Sequence, residues 1–494
     1  MSSKIKITNS GQTTTINKSN TTDSPTDVLH TITNVYFAKK VVTQNGTNVS
    51  FTRIDSAHTQ NDAQNQVIPY DTILGKTVYL IFETTNMSTL EVEASLRPSN
   101  NNLTGNTDSI SVMKFDPTVA FGGVQYTAQT ALVATVGNFD ALNNRDGSHT
   151  HFTNLADHSN KAIIKLQLRP AIRATFNTWS TNINASEPKV ANIELVVKRV
   201  GNLPCAFKSN PEETTENGIF LNDVTGGQFR IVNRNFFTIY HRNNSYNIFA
   251  NRTVNDPATR KRIGKLTNSN SIQMVYFYID EFDNEITVST SNILSVLSRG
   301  SGTVFQHVPP NSISNSPAPV GGEATTNYYY ANNSIATSGT NNANPVVRYN
   351  AGTNNINLIR MPDSLTININ NVVISYVFYQ SQRRFCNPQC FAGFIGVLAQ
   401  FGRRITSTGM CFGDATSYPS VSHPNGDSID STYASTLALE QLKVNAFHEY
   451  GFAHILRGNT SWYGQLLNST YHSKHESHLH SGDFNDNFIE IMYA

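Results

Sequence analysis

Along most of this chain apolar and polar side chains alternate with a period of two, the pattern of strands that bury one face and wet the other. Ile164, Leu166 and Leu168 alternate with Lys165, Gln167 and Arg169, and Thr77-Val78-Tyr79-Leu80-Ile81-Phe82-Glu83 is a β-branched and aromatic run. Val190 to Val200 gives a further strand, and Asn- and Gly-rich breaks supply the turns. Together these predict an antiparallel β-sandwich over 28–200. A second β-rich stretch follows within 201–380. Its predicted strands are Phe229 to Tyr240, Ile272 to Ile279, Ile286-Thr287-Val288 and Val372 to Tyr379, and Leu365, Ile367 and Ile369 alternate with Thr366, Asn368 and Asn370. Asp283-Asn284 reads as a hairpin turn. The Pro-, Ser-, Asn- and Gly-rich segment 307–345 reads as a long loop or linker, with Tyr328, Tyr329 and Tyr330 packing from a strand inside it.

The pattern changes at both ends. Residues 1–27 are Ser, Thr, Asn and Lys with almost no large apolar side chains, which predicts a flexible tail. After about 381, Phe391 to Phe401 is an apolar run suited to a buried helix. Leu437 to Phe447 carries the spacing of an amphipathic helix that ends near Gly451. Glu476 to His480 is expected to be a strand. The expected fold is therefore multidomain: a tail at 1–27, a β-sandwich-like domain at 28–200, a second β-rich domain at 201–380, and a compact α+β domain at 381–494.

Composition narrows the function. With 494 residues the chain is long enough for two to four domains. Charge is sparse at 14% and balanced, 36 basic against 35 acidic residues, so no electrostatic footprint for nucleic acid is present. No apolar run is long enough to span a membrane, and Met1 to Thr8 lacks the apolar segment of a secretory signal. Four cysteines (205, 386, 390 and 411) are too few for a disulfide scaffold, and they read as ordinary buried thiols.

Histidine is where the chemistry gathers: seven of fourteen (423, 448, 454, 472, 475, 478 and 480) lie in the last 110 residues. Ser422-His423-Pro424-Asn425-Gly426-Asp427-Ser428-Ile429-Asp430 precedes His475-Glu476-Ser477-His478-Leu479-His480 by some fifty residues. A hydrolytic zinc site needs three protein ligands and one open position, and His and carboxylate side chains supply such ligands. A bend at Gly426 would bring His423 and Asp430 onto one ion. His478 and His480, two apart on a strand, would share a face, one binding metal while the other reaches its water. Asp427 is a weaker rival to Asp430. His448 and His454 flank a helix end and read as packing or capping residues, His472 as solvated, and His149 and His151 as part of a polar loop.

The first segment, Ser422-His423-x-x-Gly426-x-x-x-Asp430, resembles the first motif of the zinc peptidase group that includes D-Ala-D-Ala carboxypeptidases, lysostaphin-type enzymes and penicillin-insensitive murein endopeptidases. His475-x-x-His478-x-His480 resembles the second motif of the murein endopeptidases in particular. The resemblance covers about 385–494 and implies zinc ligands His423, Asp430 and His480, with His478 as general base and His475 as an accessory imidazole for the substrate carbonyl. Glu476 is a second candidate for the base, since on a strand it would share the face of His478 and His480. The implied substrate is the peptide stem cross-link of peptidoglycan.

A wall-cutting enzyme without a signal peptide must arrive by lysis or by a dedicated machine. The expectation is a protein made in the bacterial cytoplasm and acting at the cell wall, either a phage lysin or a cargo of a contractile injection apparatus. Its β regions would dock on the particle or on another protein. Two other expectations stand beside this one: a structural or adhesive particle component with an inactive peptidase-like domain, and a zinc domain acting on another peptide.

Overall fold

The computed structural model describes residues 4–9, 12–17, 29–42, 49–55, 59–61, 67–69, 71–116, 126–138, 158–207, 210–214, 217–221, 229–240, 263–266, 271–280, 284–306, 314–315, 328–331, 335–338, 346–369, 372–379, 381, 383–417, 420, 422–485 and 489–491. The chain is predominantly β, organised in several sheets. Within the N-terminal 27 residues, Lys4–Asn9 and Gln12–Asn17 pair as an antiparallel hairpin. His149 and His151, and most of 307–345, lie outside the described residues; Tyr328–Ala331 is a strand.

The first core lies between two sheets. Strands β1 (Thr31–Val42) and β2 (Thr77–Thr85) belong to an eight-stranded sheet, and β3 (Glu91–Pro98) belongs to a six-stranded one. β4 (Lys161–Gln167) joins the first sheet beside β2, and β5 (Ala191–Arg199) joins the second beside β3. Alternation aims Val35, Phe37, Leu80, Phe82, Ile164 and Leu166 from one sheet at Val92, Leu96, Ile193, Leu195 and Val197 from the other. Helix α1 (Arg173–Ala185) adds Phe176, Trp179 and Ile183 to the same core.

The stretch expected as one strand over Phe229 to Tyr240 is two strands in different sheets. β6 (Phe229–Val232) completes the six-stranded sheet, whereas β7 (Asn235–Tyr240) opens a ten-stranded one. β7 pairs in parallel with β8 (Gln273–Ile279). Both faces of this pair are buried: Phe236, Val275 and Phe277 pack in the first core, and Phe237, Ile239, Met274, Tyr276 and Tyr278 in the second. Apolar residues on both faces make such strands continuous hydrophobic runs, so alternation cannot reveal where one sheet hands over to the next. The segment 201–380 therefore contributes to both cores. From β8 the chain enters β9 (Glu285–Gln306), which forms a long antiparallel ladder with β10 (Val346–Arg360).

The second core sits between that sheet and a seven-stranded one, with two helices in the gap. β11 (Val372–Phe378) lies beside the exposed edge strand Ser364–Ile369. Helix α2 (Pro388–Phe401) starts on Asn387, whose side chain accepts from Gln389 N–H, and ends on Gly402 in the left-handed conformation. Every residue from Cys390 to Leu398 is buried, which is why its sequence is apolar on all sides. β12 (Ile405–Gly409) and β13 (Ile429–Ser431) follow. Helix α3 (Leu437–Glu449) is capped by Thr436 and packs Val444, Ala446 and Phe447 inward. β14 (Phe452–Arg457) and β15 (Leu479–Phe484) complete the sheet in the order β11-β12-β13-β15-β14. Residues 476–478, expected on a strand, form a bend that precedes β15. Among the described residues no helix is long and apolar enough to cross a membrane.

Candidate metal centre

β13 and β15 are adjacent antiparallel strands in which Asp430 stands directly opposite His480. Their neighbours Ile429 and Leu479 point into the second core, so the period-two rule turns Asp430 and His480 to the opposite face. His423 reaches the same point from the turn before β13. That turn depends on Gly426, whose φ of +75° is left-handed and whose absent Cβ would lie 2.5 Å from the Cα of Cys386. A side chain there would push the turn away from the sheet.

Three donor atoms converge. His423 Nε2 lies 2.9 Å from Asp430 Oδ1 and 2.9 Å from His480 Nδ1, and His480 Nδ1 lies 3.1 Å from Asp430 Oδ1. All three residues are buried and could hold a metal ion. Zinc bonds of about 2.0–2.1 Å in a tetrahedron separate ligand atoms by about 3.3 Å, close to what is observed. The hydrogen-bond pattern also fits a cation. His423 Nδ1 sits 3.1 Å from the Ser428 carbonyl, which fixes the proton on Nδ1 and leaves the Nε2 lone pair facing inward. His480 Nδ1–H can fork between Asp430 and His423, but the 2.9 Å contact between those two then joins lone pairs. A shared cation removes that repulsion.

The charges are set by burial and by one arginine. Burial alone would raise the Asp430 carboxyl, but His423, then His480 and Arg383, outweigh it and hold it well below the ordinary carboxylate range. Burial pushes the His423 imidazole down to about 4, with Asp430 opposing and His480 and Arg383 reinforcing. His423 is thus neutral beside an ionised Asp430, the protonation states in which these two side chains can bind a metal ion. Arg383 is the residue that the sequence reading missed. Its buried guanidinium donates from Nη2 to Asp430 Oδ2 at 3.3 Å and to the Thr408 carbonyl, and from Nη1 to the carbonyls of Met410 and Ser417. Gly409, opposite Asp430 in the ladder, makes room: a Cβ there would come within 3.0 Å of Arg383 Nε.

The second motif divides. His478 comes to the centre, with Nε2 3.7 Å from Asp430 Oδ2 and Nδ1 3.2 Å from Ser477 Oγ. It stays partly open to solvent, and its imidazole is lowered by burial, with Asp430 opposing and Arg383 and His480 adding to the shift. His475 stacks obliquely between His478 and His480, with ring centroids at 4.9 and 5.4 Å, and burial followed by those two neighbours lowers it to about 3.

Glu476 does not share that face. Its carboxylate accepts from Asn459 N, Thr460 N and the Thr460 hydroxyl, at 3.0, 3.0 and 2.5 Å, and these bonds lower its pKa. The bend at 476–478 is the reason, since same-face geometry requires extended backbone. Tyr433 and Tyr463, stacked at 4.2 Å, hold the bend by donating to the carbonyls of His475 and Glu476. Exposed His472 contacts His475 Nδ1 at 2.9 Å. His448 Nε2 contacts the Asn468 carbonyl, and His454 is exposed near Asp483. Asp427 is not in the cluster. Cys386, Cys390 and Cys411 are buried and free, with burial raising each thiol, as core thiols rather than thiolate ligands.

No protein-family model, no curated protein and no solved structure matches this chain.

Proposed function

We propose that the C-terminal sheet carries the zinc centre of a peptidase of the murein endopeptidase type, which hydrolyses the peptide cross-links of peptidoglycan. The observation that carries this reading is the buried convergence of His423, Asp430 and His480 with the Nε2 of His478 on the open side. Zinc held there would supply Lewis acidity for the scissile carbonyl and an acidified water at neutral pH. His478, neutral because burial lowers it, takes a proton at Nε2 from the attacking water and returns it to the leaving amine. His475, also neutral, lies against His478 and His480 and would hydrogen-bond the substrate carbonyl. Asp430 brings the only carboxylate of the set, so a divalent ion there keeps a net positive charge that favours a developing oxyanion. Glu476 has no part in the chemistry: its lone pairs are committed to the 459–460 turn.

The test is digestion of purified peptidoglycan by the full chain, with and without chelator and beside His480→Ala, with fragments identified by mass. Loss of cross-linked dimers and gain of monomers, abolished by chelator and by the substitution, is expected. Unchanged peptidoglycan under every metal condition would sink the endopeptidase and leave a structural or adhesive role.

A further inference from the structure

The His423 turn is held from outside its own sheet, by the long β9–β10 ladder of the middle β segment. β9 and β10 pair regularly as far as Leu297 with Asn355, and then the register slips to Arg299 with Ala351. A slip of this kind frees main-chain groups from the ladder. At this one, Arg299 N donates to Asn425 Oδ1 at 2.7 Å and Asn425 Nδ2 donates to the Arg299 carbonyl at 3.0 Å. Arg299 Nε also donates to the Asp414 carbonyl. Below the slip, Leu358 packs with Cys411 and Ala415 in a small buried cluster joined by Val296, Ile356 and Phe385. Asn425 N in turn donates to the Ala415 carbonyl. Asn425 has a left-handed φ of +71° and stands two residues from His423, between it and Gly426.

We propose that the bulged β9–β10 ladder is a clamp on the metal centre and that Asn425 is the positioning residue that locks it. The middle β segment is then part of the catalytic unit and not a detachable docking module. The logic is that of any metal-ligand support: His423 comes from a turn, so the Ser428 carbonyl that orients its imidazole is placed only as firmly as that turn. The paired amide bonds convert the bulged edge of β9 into a rigid backing for that turn. The inference rests on the reading that His423, Asp430 and His480 hold a metal ion.

Asn425→Gly is the cleanest variant, since glycine accepts the left-handed backbone and removes only the amide. Chelator-competition titration of zinc into the full chain should show affinity weakened roughly tenfold to a hundredfold, the usual cost of losing an outer support. Asn425→Asp, which keeps an acceptor for Arg299 N–H, should recover part of the loss. A merely structural role would lower the melting temperature of the metal-free protein and leave the zinc affinity of the folded protein unchanged. Parent-like affinity in Asn425→Gly, or in Asn425→Ala should the glycine variant fail to fold, overturns the clamp. A parent chain that takes up no zinc overturns the metal centre itself, a separate outcome.

Discussion

The two halves of the centre are built differently. Asp430 and His480 stand on adjacent strands with Ile429 and Leu479 anchoring the other face, and His423 is fixed through Ser428. His472, His475 and His478 lie before β15, on a short turn and a bend secured by tyrosine hydroxyls and by Glu476. The strand-borne half is dry and prearranged, as a ligand set must be. In the bend-borne half His475 is buried, whereas His472 is exposed and His478 partly open to solvent, as a group proposed to exchange protons must be. On the proposed reading, position in the fold separates the residues that would hold a metal from those that would move a proton, although all of them are of the same few types.

Substitutions can break this division, beginning with the ligands. Asp430→Ala or His480→Ala should weaken zinc binding by about a thousandfold or more, about 4 kcal/mol, in a chelator competition. His478→Ala should retain zinc at parental affinity and lose about 10²- to 10⁴-fold in kcat on cross-linked peptides. The opposite pattern would reverse the roles of the two halves. Arg383→Met leaves the buried Asp430 carboxylate without its guanidinium, and roughly tenfold to a hundredfold weaker zinc binding is expected. Destabilisation of about 3 kcal/mol in urea unfolding should accompany it.

Acid should act on both halves, since His423 and His475 are each held below their unfolded value. His423 is lowered from an unfolded value of 6.5 to about 4, so between those limits the unfolded chain binds a proton that the folded chain refuses. Stability of the metal-free protein is therefore fully present above 6.5 and falls as pH drops toward 4, by on the order of 3 kcal/mol from this residue. Asp430, held well below its usual range, adds a loss at still lower pH. Denaturant titrations at stepped pH, repeated on His423→Gln, measure the His423 share. The smallest effect is expected of Glu476→Gln, which should loosen the 459–460 turn and leave zinc affinity within about threefold of the parent.

How much of this the sequence reveals depends on whether the controlling contact is local. The sandwich strands are legible because one face is wetter than the other, so half-buried Lys165 stands between buried Ile164 and Leu166. The convergence of His423, Asp430 and His480 is legible because metal-binding side chains come from few residue types, and Gly426 marks the turn. The division of Phe229 to Tyr240 is hidden because β7 is buried on both faces. The displacement of Glu476 from the site face follows from a bend that no period announces. Arg383 meets Asp430 across 47 residues, and Asn425 meets Arg299 across 126. Neither pair leaves a spacing signal, since each is set by how a bulged strand lies against a turn.

The central claim is that His423, Asp430 and His480 form one metal centre. Its most direct test is zinc stoichiometry after equilibrium dialysis of the full chain and the three single alanine variants. One zinc per parent chain and none in each folded variant is the expected result. Equal zinc in the parent and the variants, or none in the parent, would contradict it.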